Sequence, residues 1–152
     1  MANGEEIVRS GTCFCEHARV TVTGAPVAVS VCHCSICRKL SGAPLSMQAL
    51  FKAEQVRVEH DGEPTTTASS ANVERCRCIK CGSPIYASLM KGKMMAVPLS
   101  LLNTPGSPTN LKPTHHMYYG HRLIDVNDDL PKFLKSKGEP WTPESDEARG
   151  ER

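Results

Sequence analysis

The sequence predicts a predominantly β domain of short strands with short helical turns, held together by metal as much as by apolar burial. Three observations carry this. Short runs rich in Val, Thr and Ile recur between turns bearing Gly and Pro. Only 39% of the 152 residues are hydrophobic and 5% aromatic, so the core is thin for a chain that fits one domain of ordinary size. Eight cysteines fall into three groups, Cys13/Cys15, Cys32/Cys34/Cys37 and Cys76/Cys78/Cys81.

Residues 1–6 read as a frayed start and residues 7–135 as the folded domain. Ala18 to Thr23 alternates as a strand, with Val20 and Val22 on one face. Gly24-Ala25-Pro26 is a turn signal and Val27 to Val31 the next strand, so the two are expected to form a hairpin that brings Cys15 near Cys32. Ser35 to Leu40 is a short helix, capped by Ser35 and ended by Gly42 and Pro44. Leu45 to Phe51 and Gln55 to Glu59 are strands, and Asp61-Gly62 turns a hairpin into Thr65 to Ser69. Val73 to Cys78 and Ile85 to Leu89 flank the third cysteine group, the layout of a metal knuckle between two strands. Lys91-Gly92-Lys93 turns into a strand from Met94 to Pro98. Asn103 to Pro113, with Pro105, Gly106, Pro108 and Pro113, is a loop, either a surface insertion or a lid. His115 to Tyr119 is a last strand and Leu130 to Leu134 a helical turn. Residues 136–152 carry three basic against five acidic side chains and, Trp141 apart, little to bury, so a mobile tail is expected.

The net charge of +2 is too small to point to nucleic acid or an anionic membrane, and no Lys/Arg run is interleaved with aromatics. No apolar stretch reaches the ~18 residues of a membrane helix, and no basic-then-apolar leader follows Met1. A reducing compartment, the cytoplasm, is the expected location, and disulfides rarely persist there. The spacing agrees: a disulfide between residues i and i+2 closes a small strained ring, whereas two thiolates that close suit a metal. Eight cysteines supply two closed four-thiolate sites, or one closed site and one open three-thiolate site with a cysteine to spare. Cys32, Cys34 and Cys37 surround a strand-to-helix junction, where the helix N-terminus favours thiolate charge.

Gly11-Thr12-Cys13-Phe14-Cys15, then Cys32-His33-Cys34-Ser35-Ile36-Cys37-Arg38-Lys39 with Ser41-Gly42-Ala43-Pro44, then Cys78-Ile79-Lys80-Cys81-Gly82-Ser83-Pro84-Ile85-Tyr86 resemble the glutathione-dependent formaldehyde-activating enzyme family, which includes centromere-associated relatives. The likeness runs from Gly11 to Phe133 and takes in Pro113…His116 and Asp129-Leu130-Pro131-Lys132-Phe133. It implies an all-β fold, a β-tent of small antiparallel sheets assembled around zinc sites. It implies two zinc ions per chain: a structural one on Cys13, Cys15, Cys78 and Cys81, and a catalytic one on Cys32, Cys34 and Cys37, with Cys34 at the centre of the chemistry. The implied activity is that of a carbon–sulfur lyase acting on a thiol–aldehyde adduct, with glutathione and formaldehyde, or another small aldehyde, as partners.

Cys76 departs from the family pattern. On a regular strand it shares a face with Cys78, which makes it a candidate fourth ligand for the second zinc; the alternative is a semi-buried free thiol. His33, between two ligand cysteines, should point away from them and serve the structure around the site. His115 and His116 are packed or solvated histidines on a strand, or one lines the cleft; His17, His60 and His121 carry no motif. Tyr118 and Tyr119 are core residues or cover the pocket, and Met90, Met94 and Met95 read as core filler. Arg38, Lys39, Arg75, Arg77 and Lys80 either offset the charge of zinc thiolates or also bind glutathione carboxylates. Two non-enzymatic functions stand beside the enzyme: a zinc-stapled protein-binding module, and a repurposed enzyme with both sites closed. The oligomeric state is not written in the sequence.

Overall fold

The computed structural model of the chain describes residues 6–105, 107 and 110–147. Among the described residues, ten strands and a few short helices make an all-β protein that divides into two compact units, Met1–Ala28 with Ala49–Lys112, and Val29–Gln48 with Pro113–Arg152. None of its helices is long and apolar enough to cross a membrane among the described residues.

The first unit opens with β1 (Val8–Thr12), which pairs antiparallel with β2 (Ala18–Thr23), and β2 pairs in turn with β5 (Val56–His60). Alternation along β2 buries Ala18, Val20 and Val22 and leaves Arg19 outside, as its hydrophobic period requires. An antiparallel run of β6 (Thr65–Ser70), β7 (Val73–Arg77), β8 (Pro84–Leu89) and β9 (Met94–Pro98) follows. A short helix, α2 (Leu99–Leu102), buries Leu99, Leu101 and Leu102. Gly11 lets β1 approach this helix: a Cβ built there would lie 1.6 Å from the Leu101 carbonyl oxygen. After α2 the loop is closed at its base by Asn103, whose side chain donates to Leu111 O at 2.7 Å and accepts from Leu111 N at 2.8 Å. Gly106 and Pro108 of that loop lie outside the described residues.

The second unit holds β3 (Ala28–Cys32, all but its first residue), α1 (Ser35–Ser41) and β10 (His115–Met117). β10 runs parallel to β3, with Met117 opposite Cys32. β4 (Ser46–Lys52) straddles the boundary of the two units. The core of the second unit is unusually polar: Ser30, His33, His115 and His116 are buried beside Val29, Val31 and Tyr119.

Several expectations of pairing and local structure are corrected. β2 and β3 do not form a hairpin, because both edges of β2 are taken by β1 and β5. The residues of the turn bond elsewhere, Gly24 N to Ile7 O at 2.8 Å and Val27 N to Leu50 O at 2.7 Å. Asp61-Gly62 likewise closes no hairpin: β5 belongs to β2 and β6 to β7, and Asp61 N donates to His17 O at 3.0 Å. The strand at His115 stops at Met117, where Tyr118 turns left-handed at φ 53° and Tyr119–His121 forms a single 3₁₀ turn. Leu130 to Leu134 is extended rather than helical, with Lys132 bridged to His116 and Phe133 to Pro140. Composition leaves the segment after Ser136 little to bury, yet it is tied down as far as Asp146. Trp141 packs edge-on to Tyr119 at 4.9 Å, and Asp146 accepts from Trp141 Nε1 and from the Arg122 guanidinium. Residues 148–152 of that segment lie outside the described residues.

Candidate metal centres

Two groups of thiols converge, each within one unit: Cys13, Cys15, Cys78 and Cys81, and Cys32, Cys34 and Cys37, with the sulfurs of each group all within 4.8 Å of one another. None of the eight cysteines is in a disulfide among the described residues.

The first cluster is built from two tight knuckles. Cys13 and Ala18 exchange hydrogen bonds across the first, Cys13 N to Ala18 O at 2.9 Å and Ala18 N to Cys13 Sγ at 3.3 Å, and Glu16 closes the turn at φ 64°. In the second, Gly82 adopts φ 72° and its N–H donates to Cys78 O at 2.9 Å. The sulfurs lie 3.7 Å apart for Cys13–Cys15 and 3.6 Å for Cys15–Cys78. Ser83, overlooked at the level of sequence, joins the knuckles: its Oγ accepts from Phe14 N at 3.3 Å and lies 3.1 Å from Cys81 Sγ. That hydroxyl, with the Ser83 backbone, brings the Cys81 thiol down to about 5. The backbone N–H of Cys81 lowers Cys78. For Cys15 a backbone hydrogen bond at His17 acts downward, but burial and the neighbouring thiols prevail and raise it to about 12. One cluster thus holds thiols ready to ionise and one that needs a cation beside it.

The second cluster sits where β3 runs into α1. Cys32 ends the strand, Cys34 is the N-cap whose Sγ accepts the Cys37 N–H at 3.3 Å, and Cys37 lies in the first turn. The capping role expected of Ser35 is therefore taken by a cysteine. Gln48 Nε2 donates to Cys37 Sγ at 3.6 Å. Hydrogen bonding with Cys34 and Cys37, then burial, pushes the Cys32 thiol far up. Tyr118, which the sequence leaves between core residue and pocket cover, is half-buried, and burial, then the charge of Cys32, Cys34 and Cys37, raises its phenol. A large side chain in the left-handed region is uncommon, and the pairing of Met117 with Cys32 puts it beside the cluster.

Cys76 is not one of the sulfurs of either cluster. The ladder slips between Cys76 and Arg77 and β7 ends before Cys78, so the two cysteines do not sit on one regular strand. Cys76 is 1% exposed, its Sγ 3.8 Å from His60 Nε2; burial raises its thiol, against a hydrogen bond with Tyr86.

His33 is not grouped with the sulfurs, and its ring pairs with another histidine. His33 is fully buried, its Nε2 is 2.8 Å from His116 Nδ1, and His116 Nε2 is 2.9 Å from Asp128 Oδ2. Burial, then the charges of His116, Arg122 and Arg38, lowers His33 to about 4. For Asp128 burial acts upward, but hydrogen bonds from Lys132 and His116 outweigh it and set the carboxyl at about 2. His115 is buried against Phe133 and its Nδ1 is 3.0 Å from Thr114 Oγ1. Of the cations, Arg38 donates from Nε to His33 O at 3.0 Å, Arg75 to Ser69 Oγ at 3.1 Å and Arg77 to Gly82 O at 2.8 Å. Lys39 is exposed, and Lys80 lies against His17.

A Rhodobacter sphaeroides protein of known crystal structure shares the fold, with a TM-score of 0.51 and 19% identity over 62% of this chain and 87% of that one. No curated protein matches the chain. The family model described as glutathione-dependent formaldehyde-activating enzyme matches residues 8–121, a stretch that contains both thiol clusters, Tyr118 and His116. With three-quarters of its length and both sets of thiols inside that match, the chain belongs to the glutathione-dependent formaldehyde-activating enzyme family.

Proposed function

We propose that the chain makes and breaks the carbon–sulfur bond between a small thiol, glutathione, and a small aldehyde such as formaldehyde, in the cytoplasm, as a zinc-dependent lyase. One observation carries this reading. Three thiols converge at Cys32, Cys34 and Cys37 with no fourth Cys, His, Asp or Glu grouped with them among the described residues, whereas the other cluster has four. Three protein ligands and an open position mark a site for chemistry, and four thiolates a structural site.

The donor sets fit zinc. A tetrahedron with zinc–sulfur bonds of ~2.3 Å has edges of ~3.8 Å, close to the 3.6 and 3.7 Å separations in the first cluster. Cys13, Cys15, Cys78 and Cys81 would hold the structural ion, and Cys32, Cys34 and Cys37 the catalytic one. Zinc on three thiolates supplies a Lewis-acidic centre with a free position, which lowers the pKa of a bound thiol and polarises a carbonyl oxygen. In the addition, the thiol sulfur bonds to the carbonyl carbon, the π pair moves to oxygen, and the proton that leaves the thiol ends on that oxygen, so the step is redox-neutral. The chain supplies a proton-holding group for it. Tyr118 keeps its phenolic proton because burial and the thiolates raise its pKa, so its O–H is a donor for the developing alkoxide. Lys39, exposed on α1, and Arg38 behind it offer positive charge to the carboxylates of glutathione.

Exchange of ¹³C-formaldehyde with glutathione, followed by NMR, tests the reading. The purified protein should accelerate exchange above the spontaneous rate, and Cys34→Ser should abolish the acceleration. Tyr118→Phe should lower kcat by roughly 10²-fold with KM little changed, since it removes a donor that matters only in the transition state. No acceleration, or full acceleration by Cys34→Ser, overturns the proposal. One observation favours a second reading, a non-catalytic zinc-stapled binding module. Phe14 and Ile79 stand 91% and 60% exposed on the two knuckles of the first cluster, and apolar tips of that kind suit a protein partner.

A further inference from the structure

Cys32-His33-Cys34 brings two thiols of the second cluster together through a single intervening residue, and that residue is held at three atoms. The His33 N–H donates to Met117 O at 3.0 Å, the His33 carbonyl accepts from Arg38 Nε at 3.0 Å, and His33 Nε2 meets His116 Nδ1 at 2.8 Å. The third contact depends on protons. Each neutral imidazole carries one N–H, so the order of donors and acceptors along a chain of rings is set by its end. Here the end is Asp128, 2.9 Å from His116 Nε2 and also paired with Lys132 Nζ at 2.9 Å. An ionised carboxylate only accepts, so a neutral His116 ring on this carboxylate places its proton on Nε2 and offers a lone pair at Nδ1. His33 must then donate from Nε2, and its Nδ1 is left as a lone pair. That atom is the buried side-chain nitrogen or oxygen without a hydrogen-bond partner among the described residues. Nδ1 has no partner in either tautomer, so no contact of its own selects between them and the choice falls to the Asp128 end of the chain. Without the carboxylate, His116 is free to protonate on Nδ1, and two N–H groups would oppose each other across 2.8 Å unless His33 also switched.

From this geometry we infer that Asp128, acting through His116 and His33, is a positioning residue for the second thiol cluster: it fixes the ring tautomers that clamp the Cys32-His33-Cys34 loop. The inference rests on the reading of that cluster as a metal site. Asp128 lies on a solvent-facing loop twelve residues beyond His116 and touches no cysteine, so its effect has to travel through both rings. Partners that orient metal ligands at one remove typically carry 10–100-fold in metal affinity.

The test uses the whole chain loaded with zinc. Competition with a chromophoric chelator gives two dissociation constants for the wild type, and the one missing from Cys34→Ser is assigned to the second cluster. Asp128→Ala should weaken that site by 10–100-fold and leave the other unchanged, and Asp128→Glu should restore most of the loss. Long-range ¹H–¹⁵N spectra should show His116 and His33 both protonated at Nε2 in the wild type, and His116 in mixed tautomers in Asp128→Ala. Lys132→Ala, which leaves the carboxylate in place, should keep the wild-type tautomers. A wild type that binds one zinc overturns the metal reading and this inference together. A wild type that binds two, with Asp128→Ala binding both at wild-type strength or with His116 found protonated at Nδ1, overturns this inference alone.

Discussion

Among single residues, Gly11 and Cys76 make opposite demands on their surroundings. Gly11 has no side chain because the Leu101 carbonyl occupies the space: a methyl 1.6 Å from that oxygen cannot be relieved by a rotamer, only by separating β1 from α2. Gly11→Ala should therefore cost several kcal/mol, at the upper end of what single substitutions do, and denaturant unfolding would show it as a lowered midpoint. A stability within 1 kcal/mol of the wild type would mean that β1 moves easily. Cys76 is buried but spends its sulfur on His60 and Tyr86 rather than on a metal cluster. A hydroxyl in its place keeps both partners, so Cys76→Ser should retain the full zinc content and lose about 1 kcal/mol of stability. Metal analysis of that variant checks the first clause, and loss of one zinc would make Cys76 a ligand after all.

Elements with a local signature were legible in the sequence, and pairings were not. The knuckle between β7 and β8 follows from C-x-x-C-G between two strand-like runs, and the alternation of β2 follows from Ala18, Val20 and Val22. The membership of the clusters follows from ligand spacing together with the family likeness. What pairs with what depends on contacts dozens of residues apart: the strand β1 has too little apolar periodicity to announce itself, and nothing at Asp61-Gly62 says that the chain leaves one sheet there instead of folding back. The chain from Asp128 to His33 was hidden for the same reason, since it joins residues 116 and 33 across eighty-three positions. The turn from β8 to β9 was legible as a turn but not in its strain. Met90 and Lys91 both adopt positive φ, 53° and 57°, ahead of Gly92. A left-handed residue with a Cβ costs ~1–2 kcal/mol, least for Asn and Asp. Lys91→Asn should thus raise stability by about 0.5–1 kcal/mol. Thermal unfolding checks this, and a lowered midpoint would assign the Lys91 side chain a stabilising contact.

For the whole molecule the question is how much of the fold metal carries. Hydrophobic burial is modest, and the second unit places three histidines and a serine where aliphatic side chains would otherwise sit. A domain of this size has a net stability of only ~5–15 kcal/mol, and structural zinc contributes ~10 kcal/mol or more in small modules. On the proposed zinc reading of the first cluster, removing the ion takes away a closure that ties Cys13 to Cys81 and leaves four thiols with opposed tendencies, Cys81 near 5 and Cys15 near 12. Strong chelation should therefore abolish the cooperative thermal transition. The two clusters should differ in kind. Cys81→Ser opens the four-thiol site and should yield protein that is largely insoluble or unfolded. Cys34→Ser removes one thiol from a junction that also has the β3–β10 ladder and the clamp on His33, so it should fold with one zinc fewer. Circular dichroism and zinc content of the two variants, measured side by side, decide it. A chelated protein that melts like the untreated one would show that the core suffices without metal. A Cys34→Ser protein as badly unfolded as Cys81→Ser would show that both clusters are structural, and would take away the ground for placing chemistry at the second.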